Sequence, residues 1–375
     1  MEQNLPSAPS TPELVNWDLA AGTAAVMAPA GPRLTAREVR EAVADLRRRA
    51  DESVPHVHRI TGLEAARDLR DSQVLVVDRA SWAKANSRSF ATLLTPALDR
   101  LAATRPEQLR RANTELAATL TGAQLGAVLA FLASKVLGQY DPFAAGTAGT
   151  GGRLLLVAPN IVEVERELNV EPADFRLWVC LHEQTHRVQF AAAPWLRGHM
   201  IEQIGALTGG LMEHAETLSD RLGQAVRSLG RGVAAGADDV AKADGGDRPR
   251  DVLSLLQDPG DKERLSHLTA VMSLLEGHAN VVMDAVDASI VPSVKTIRRR
   301  FNARGASHGR VEKLLRQVLG LDAKMRQYRD GARFVRAVVD EVGMDGFNRV
   351  WERAGNLPTE TELHEPGLWI ARVGS

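Results

Sequence analysis

The stretch that decides the reading is Val179-Cys180-Leu181-His182-Glu183-Gln184-Thr185-His186-Arg187-Val188-Gln189-Phe190. On a helix, His182 and His186 lie four residues apart, so both imidazoles leave one face a turn apart and can converge on a single ion. Glu183 then stands at the rim of that site, where a carboxylate can accept a proton from a metal-activated water without being a ligand. Phe175, Trp178, Val179, Leu181 and Val188 surround the stretch at mostly helical spacing and predict a buried helix. Two histidines and a glutamate inside such a helix are costly unless something pairs with them, and a zinc ion would. Cys180 does not share the face of His182, because residues two apart on a helix diverge, and it reads as a small core residue.

Glu171-Pro172 puts a proline where the first turn of this helix should begin, and Pro194 should stop it just past Ala193. Upstream, Leu154-Leu155-Leu156-Val157 is the clearest strand signal, closed by Pro159-Asn160. Such a strand either offers its edge to an extended substrate or is simply buried. Gly138-Gln139-Tyr140-Asp141-Pro142 and the glycines that follow read as a turn-rich break. Val74-Leu75-Val76-Val77 fits a short strand or part of a helix. Helical patterns cover about 106–118 and 124–137. Thr35-Ala36-Arg37-Glu38 is a capping box opening a helix to about Ala50, and Thr61-Gly62-Leu63-Glu64 repeats the device after Pro55. Downstream, a helix from Trp195 to about Ala206 should break at Gly209-Gly210. Asp261 is a candidate cap for a long helix over about 262–287, and further helices should break near Gly305, Gly320 and Gly343. The expectation is a mainly α fold with a small β-sheet near the histidine helix. It would be divided into a loose arm (1–33), a helical region (34–152) and a catalytic region (153–375) with a mobile insertion at about 230–250.

Composition narrows the classes of function. Lys+Arg number 46 against Asp+Glu 47 in 375 residues, a formal charge of -1, so no basic field points to nucleic acid or to an anionic membrane. The single cysteine excludes an intrachain disulfide. The N-terminus has no basic start followed by an apolar run, and the run from Leu120 to Leu137 is broken by polar residues, so a cytoplasmic location is expected.

A catalytic zinc keeps three protein ligands and an open position, so a third ligand is needed. A histidine six residues after His186 would mark a metzincin, but Ala192 stands there. Carboxylate candidates are Glu202, Glu213 and Glu276. Glu276 is preferred, because it lies in the apolar run Leu274-Leu275-Glu276-Gly277-His278-Ala279-Asn280-Val281-Val282-Met283-Asp284, where a carboxylate needs a partner. Asn280 and Asp284, one and two turns on, could orient a ligating histidine from behind. His278 points elsewhere and reads as a rim or core residue. Arg298-Arg299-Arg300, with Arg304 and Arg310, could hold an anion but reads as a solvated helix face. His364-Glu365 runs into Pro366-Gly367 and offers no second histidine, so it is no second metal motif.

Taken together, His182 to Phe190, Glu276-Gly277-His278-Ala279 and Gly138-Gln139-Tyr140-Asp141-Pro142-Phe143 resemble a zincin-like family of zinc-dependent metallopeptidases, over about Trp17 to Ile370. Members carry labels such as hydrolase or association with deazaflavin-coenzyme biosynthesis. Nothing in this chain resembles a flavin- or phosphate-binding loop. The resemblance implies a mostly helical fold around a minimal zincin core, with His182 and His186 as zinc ligands, Glu183 as general base and a glutamate as third ligand. The expected reaction is hydrolysis of a peptide or small amide, with Tyr328, or else Tyr140, as oxyanion donor. Two other readings remain at this point, a metal-binding regulatory protein without turnover and a helical scaffold with a structural zinc. An intact Glu183 speaks against the first. A structural zinc is usually closed by four ligands, often cysteines, which speaks against the second.

Overall fold

The computed structural model describes residues 15–69, 72–104, 115–144, 152–213, 258–306 and 321–374. In chain order the elements are α1 (Trp17–Met27), α2 (Ala36–Thr61), β1 (Gln73–Val77), α3 (Arg79–Thr104), α4 (Glu115–Ala133), β2 (Gly138–Asp141), β3 (Arg153–Val157), α5 (Ala158–Glu167), α6 (Pro172–Ala192), α7 (Pro194–Glu213), α8 (Pro259–Ala285), α9 (Val294–Ala306), α10 (Leu321–Asn348), α11 (Glu360–His364) and α12 (Pro366–Val373). The fold is mainly α with one small sheet, as the sequence predicts. It forms two compact units, each drawn from several segments. The first takes Met1–His56, Asp68–Arg187 and Val291–Val294, and the second takes Val57–Arg67, Val188–Ile290 and Lys295–Ser375. The expected insertion at 230–250 lies outside the described residues.

In the first unit the sheet has the order β1-β3-β2. β1 runs parallel to β3 in the register Gln73–Arg153 to Val77–Val157, and β2 runs antiparallel to it from Gly138–Leu156 to Asp141–Arg153. β3 is thus the central strand, with Leu154 to Val157 at most 1% exposed, which is why the run is apolar without alternation. Both its edges are occupied, so it is the buried strand of the two readings, and the end strands are β1 and β2. The segment Gly138–Asp141, expected as a break, is in fact this strand. Its two-residue spacing is too short to register as a pattern, and pairing with β3 imposes the conformation. β1 settles the open reading of 74–77 as a strand.

Small side chains pack α1, α3 and α4 onto this sheet. Ala24, Trp82, Ala83, Ala85, Leu129, Ala130 and Ala133 form one buried cluster with Leu155 and Val157. α1 overturns the expectation of a loose arm over the residues it covers. Asn16 caps it by accepting from Leu19 N–H at 2.8 Å, and Ala20 and Ala24 let it approach its neighbours closely. α4 is continuous through 119–123, where the sequence reading left a gap. It stops before 137, where Leu137 C=O already accepts from Val157 N–H at 2.8 Å.

The capping box at Thr35 is present, with Thr35 N–H donating to Glu38 Oε2 at 2.7 Å. α2 then continues through Pro55 instead of ending near Ala50. Asp51, whose carbonyl Pro55 deprives of a donor, is an exposed residue that solvent can serve, while Leu46, Ala50 and Val57 are all 0% exposed. Thr61-Gly62-Leu63-Glu64 closes this helix instead of opening another. Gly62 takes φ 65° and its N–H reaches His58 C=O at 2.9 Å, an αL cap.

In the second unit α8 packs along α10, where Gly277 and Gly331 bring the two backbones together. A Cβ at Gly277 would lie 2.3 Å from Gly331 C and one at Gly331 1.9 Å from Ser273 O. Phe334, Phe347, Trp351 and Trp369 fill the core beside this crossing. α7 runs through Gly209-Gly210 without the expected break, and the cap of α8 is Asp258, which accepts from Asp261 N–H at 3.1 Å. The break at Gly343 is real (φ 74°); Gly305 lies inside α9, and Gly320 lies outside the described residues. Arg298 donates to the last carbonyls of α8, Met283 and Val286, so it serves as a helix cap, while Arg310 lies outside the described residues.

Candidate metal centre

α6 carries the histidines, and its bounds follow the two prolines, starting at Pro172 and ending just before Pro194. Its polar residues pin it in place by long-range contacts. In the first unit Arg176 pairs with Glu165 at 2.6 Å and Asp45 at 3.1 Å. Gln184, 0% exposed, donates to Ala50 C=O at 2.9 Å. Arg187, 3% exposed, donates to Leu69 C=O at 3.0 Å, Ser72 C=O at 2.8 Å and Ser72 Oγ at 2.6 Å. In the second unit Gln189 donates to Leu275 C=O at 2.8 Å and meets His278 Nδ1 at 3.0 Å. His278 is fully buried and stacks on Phe347 at 5.3 Å, a core residue as its position suggested.

With the helix so fixed, His182 and His186 turn their Nε2 atoms to one point. These lie 3.3 Å apart with the rings at 85°. Two nitrogens each about 2.0–2.1 Å from a common tetrahedral ion would be roughly 3.3 Å apart. A carboxylate oxygen of Glu276 joins them, and the three ligand atoms all lie within 4.8 Å of one another. Two imidazoles and a carboxylate are a donor set that suits zinc. Of the other candidate ligands, Glu202 is exposed on α7, and the side chain of Glu213 lies outside the described residues.

Glu183 follows His182 and is 7% exposed. Its space is made by Gly138 of β2. A Cβ there would stand 2.5 Å from Glu183 Cγ and 2.8 Å from its Cδ. The sequence reading saw Gly138 only as part of a break and missed this contact. Gln184, Arg187 and Gln189 were also overlooked, although three polar residues in an apolar helix are a legible signal of buried partners.

Burial, followed by the charge of Glu183, pushes the Cys180 thiol up, so it stays protonated against Leu46 C=O at 3.9 Å. Asn280 is half-buried on α8. Asp284, expected behind a ligating histidine, is an exposed residue paired with Arg336 at 2.6 Å. The hydroxyl of Tyr140 accepts from Gly152 N–H at 3.2 Å in a buried corner of the first unit. Tyr328 falls within α10, but its side chain lies outside the described residues.

These features are those of a candidate metal-dependent hydrolase centre on a helix. The chain belongs to the zincin-like metallopeptidase family, whose model matches residues 15–370. It is also similar to the crystal structure of a candidate hydrolase with a novel fold from Chloroflexus aurantiacus, at 29% identity and a TM-score of 0.61, over 96% of this chain and 98% of that one. A comparison with curated proteins finds no match. Membership implies a metal, typically zinc, and the His182, His186 and Glu276 cluster is compatible with one. Among the described residues, no helix is long and apolar enough to cross a membrane.

Proposed function

We propose that the protein is a zinc-dependent hydrolase of peptide or amide bonds, with His182, His186 and Glu276 as ligands and Glu183 as general base. The observation that carries this reading is the convergence of the two Nε2 atoms, 3.3 Å apart, with a Glu276 oxygen inside the same 4.8 Å cluster. Zinc held there supplies Lewis-acid activation of a water and of the scissile carbonyl. Glu183, confined beside Gly138, accepts the proton that water gives up and returns it to the leaving nitrogen. β2, as the end strand beside Glu183, provides main-chain groups against which an extended peptide can align. Asn280 is the remaining candidate to steady a ligand from α8.

The test is zinc content by elemental analysis, together with cleavage of a peptide library. Wild type should carry zinc at the site, His186→Ala and Glu276→Ala should lose it, and Glu183→Gln should keep it while losing turnover. Hydrolysis retained in Glu183→Gln would remove that residue from its role. Zinc retained in the double variant of Glu276→Ala with His267→Gln would remove Glu276 as third ligand.

A further inference from the structure

We infer a second metal site, in the second unit, formed by His199 of α7 and His267 of α8 with Glu202 and Glu263 as its carboxylates, and suited to a divalent transition ion such as zinc. The pair is separate from the histidines of α6 and shares no residue with them. Nε2 of His199 and Nε2 of His267 lie 2.7 Å apart, the ring planes at 89°. At that distance one imidazole donates and the other accepts, so both nitrogens point at a single shared proton. An ion can take that place once the donor imidazole carries its proton on Nδ1 instead and the nitrogens separate to about 3.3 Å, a small rotation of two half-buried rings.

The surroundings suit a cation. Desolvation lowers the pKa of both histidines, against the opposing charge of Glu202 on His199 and of Glu263 on His267, and His199 lowers His267 further. Both imidazoles are therefore neutral, the form that ligates a metal. Each helix also brings a carboxylate one turn from its histidine, Glu202 three residues after His199 and Glu263 four residues before His267. Both glutamates are exposed, so their side chains can swing toward the pair without giving up a buried partner. Trp195 packs edge-on against His199 at 6.0 Å and walls one side with an apolar ring. Imidazole and carboxylate together suit zinc, nickel or copper better than calcium or magnesium. Because the two histidines are 68 residues apart, an ion bridging them closes a long loop and opposes unfolding.

The experiment is equilibrium dialysis of the full chain against zinc chloride, followed by elemental analysis and a thermal melt. Wild type should hold one zinc more than His267→Gln, and that same zinc should remain in His186→Ala, which lacks a ligand of the α6 site. The added zinc should raise the melting temperature of His186→Ala but not of the double variant with His267→Gln. Equal zinc in wild type and His267→Gln would overturn the site. If His267→Gln loses its helical circular dichroism, Glu202→Gln with Glu263→Gln decides, since both positions are exposed. About a tenfold weaker second zinc in that variant supports the site, and unchanged binding overturns it. A failure of the α6 site reads differently, as one zinc in both wild type and His186→Ala that vanishes with His267→Gln.

Discussion

At Gly138 a single methyl group decides where the Glu183 carboxylate can rest, because its Cβ would stand 2.5 Å from Glu183 Cγ. Glu183 is flexible at its far end, so Gly138→Ala should displace the proposed base without unfolding the protein. Turnover is expected to fall about 10–100-fold while zinc content stays at the wild-type level, since a misplaced catalytic group costs rate before it costs stability. Parallel kcat and elemental measurements check this, and unchanged kcat would mean that the carboxylate tolerates the shift. The pair illustrates what was legible in the chain. His182, Glu183 and His186 announce themselves by chemical identity and spacing. Gly138 does not, because its meaning lies in what it faces across 45 residues of sequence.

Among the elements, the α8–α10 crossing rests on glycines whose added Cβ atoms would meet backbone, which cannot rotate away as a side chain can. Gly277→Ala should therefore force the helices apart and destabilise the protein by about 1–3 kcal/mol, read from the midpoint of urea unfolding. The corner of α11 and α12 should respond to acid. Burial raises the pKa of Glu362, but hydrogen bonds from Arg372 and the Thr359 cap outweigh it, so its folded pKa lies below the usual 4.5. Stability from this group is then complete above that ordinary value and is lost as pH falls through the folded one. Urea midpoints between pH 5 and pH 3 (roughly the carboxylate range) should fall less steeply for Glu362→Gln than for wild type. Helix ends at Pro172 and Pro194 were readable because proline fits only a first turn or a terminus. Pro55 and Gly209-Gly210 misled because neighbouring burial overrides a local breaker.

For the molecule as a whole, metal and fold are expected to be linked. Zinc at about a hundred times its dissociation constant adds about 2.7 kcal/mol to a protein that binds it only when folded. Chelation should accordingly lower the melting temperature, and restoring zinc should recover it in His267→Gln, which keeps only the α6 site, but not in the double variant of His186→Ala with His267→Gln. A melting temperature indifferent to chelation would show that the fold stands without the ion. The mainly α class was readable from periodicity throughout the chain, whereas the sheet was half hidden. β3 showed as an apolar run, but its place between β1 and β2, and the strand nature of Gly138–Asp141, depend on pairing between distant segments that no local pattern records.

The anchoring of α6 carries a consequence for how such a chain can diverge. Gln184 and Arg187 bond the carbonyls of Ala50, Leu69 and Ser72, and Gln189 bonds that of Leu275, so the acceptors are peptide groups that every amino acid provides. Apart from Glu165, Asp45 and the Ser72 hydroxyl, which hold the helix through side chains, the segments that receive it can therefore change their side chains over generations without releasing it, provided the backbone path is kept. Distant descendants would retain the histidine helix almost letter for letter inside surroundings whose spelling has drifted beyond recognition.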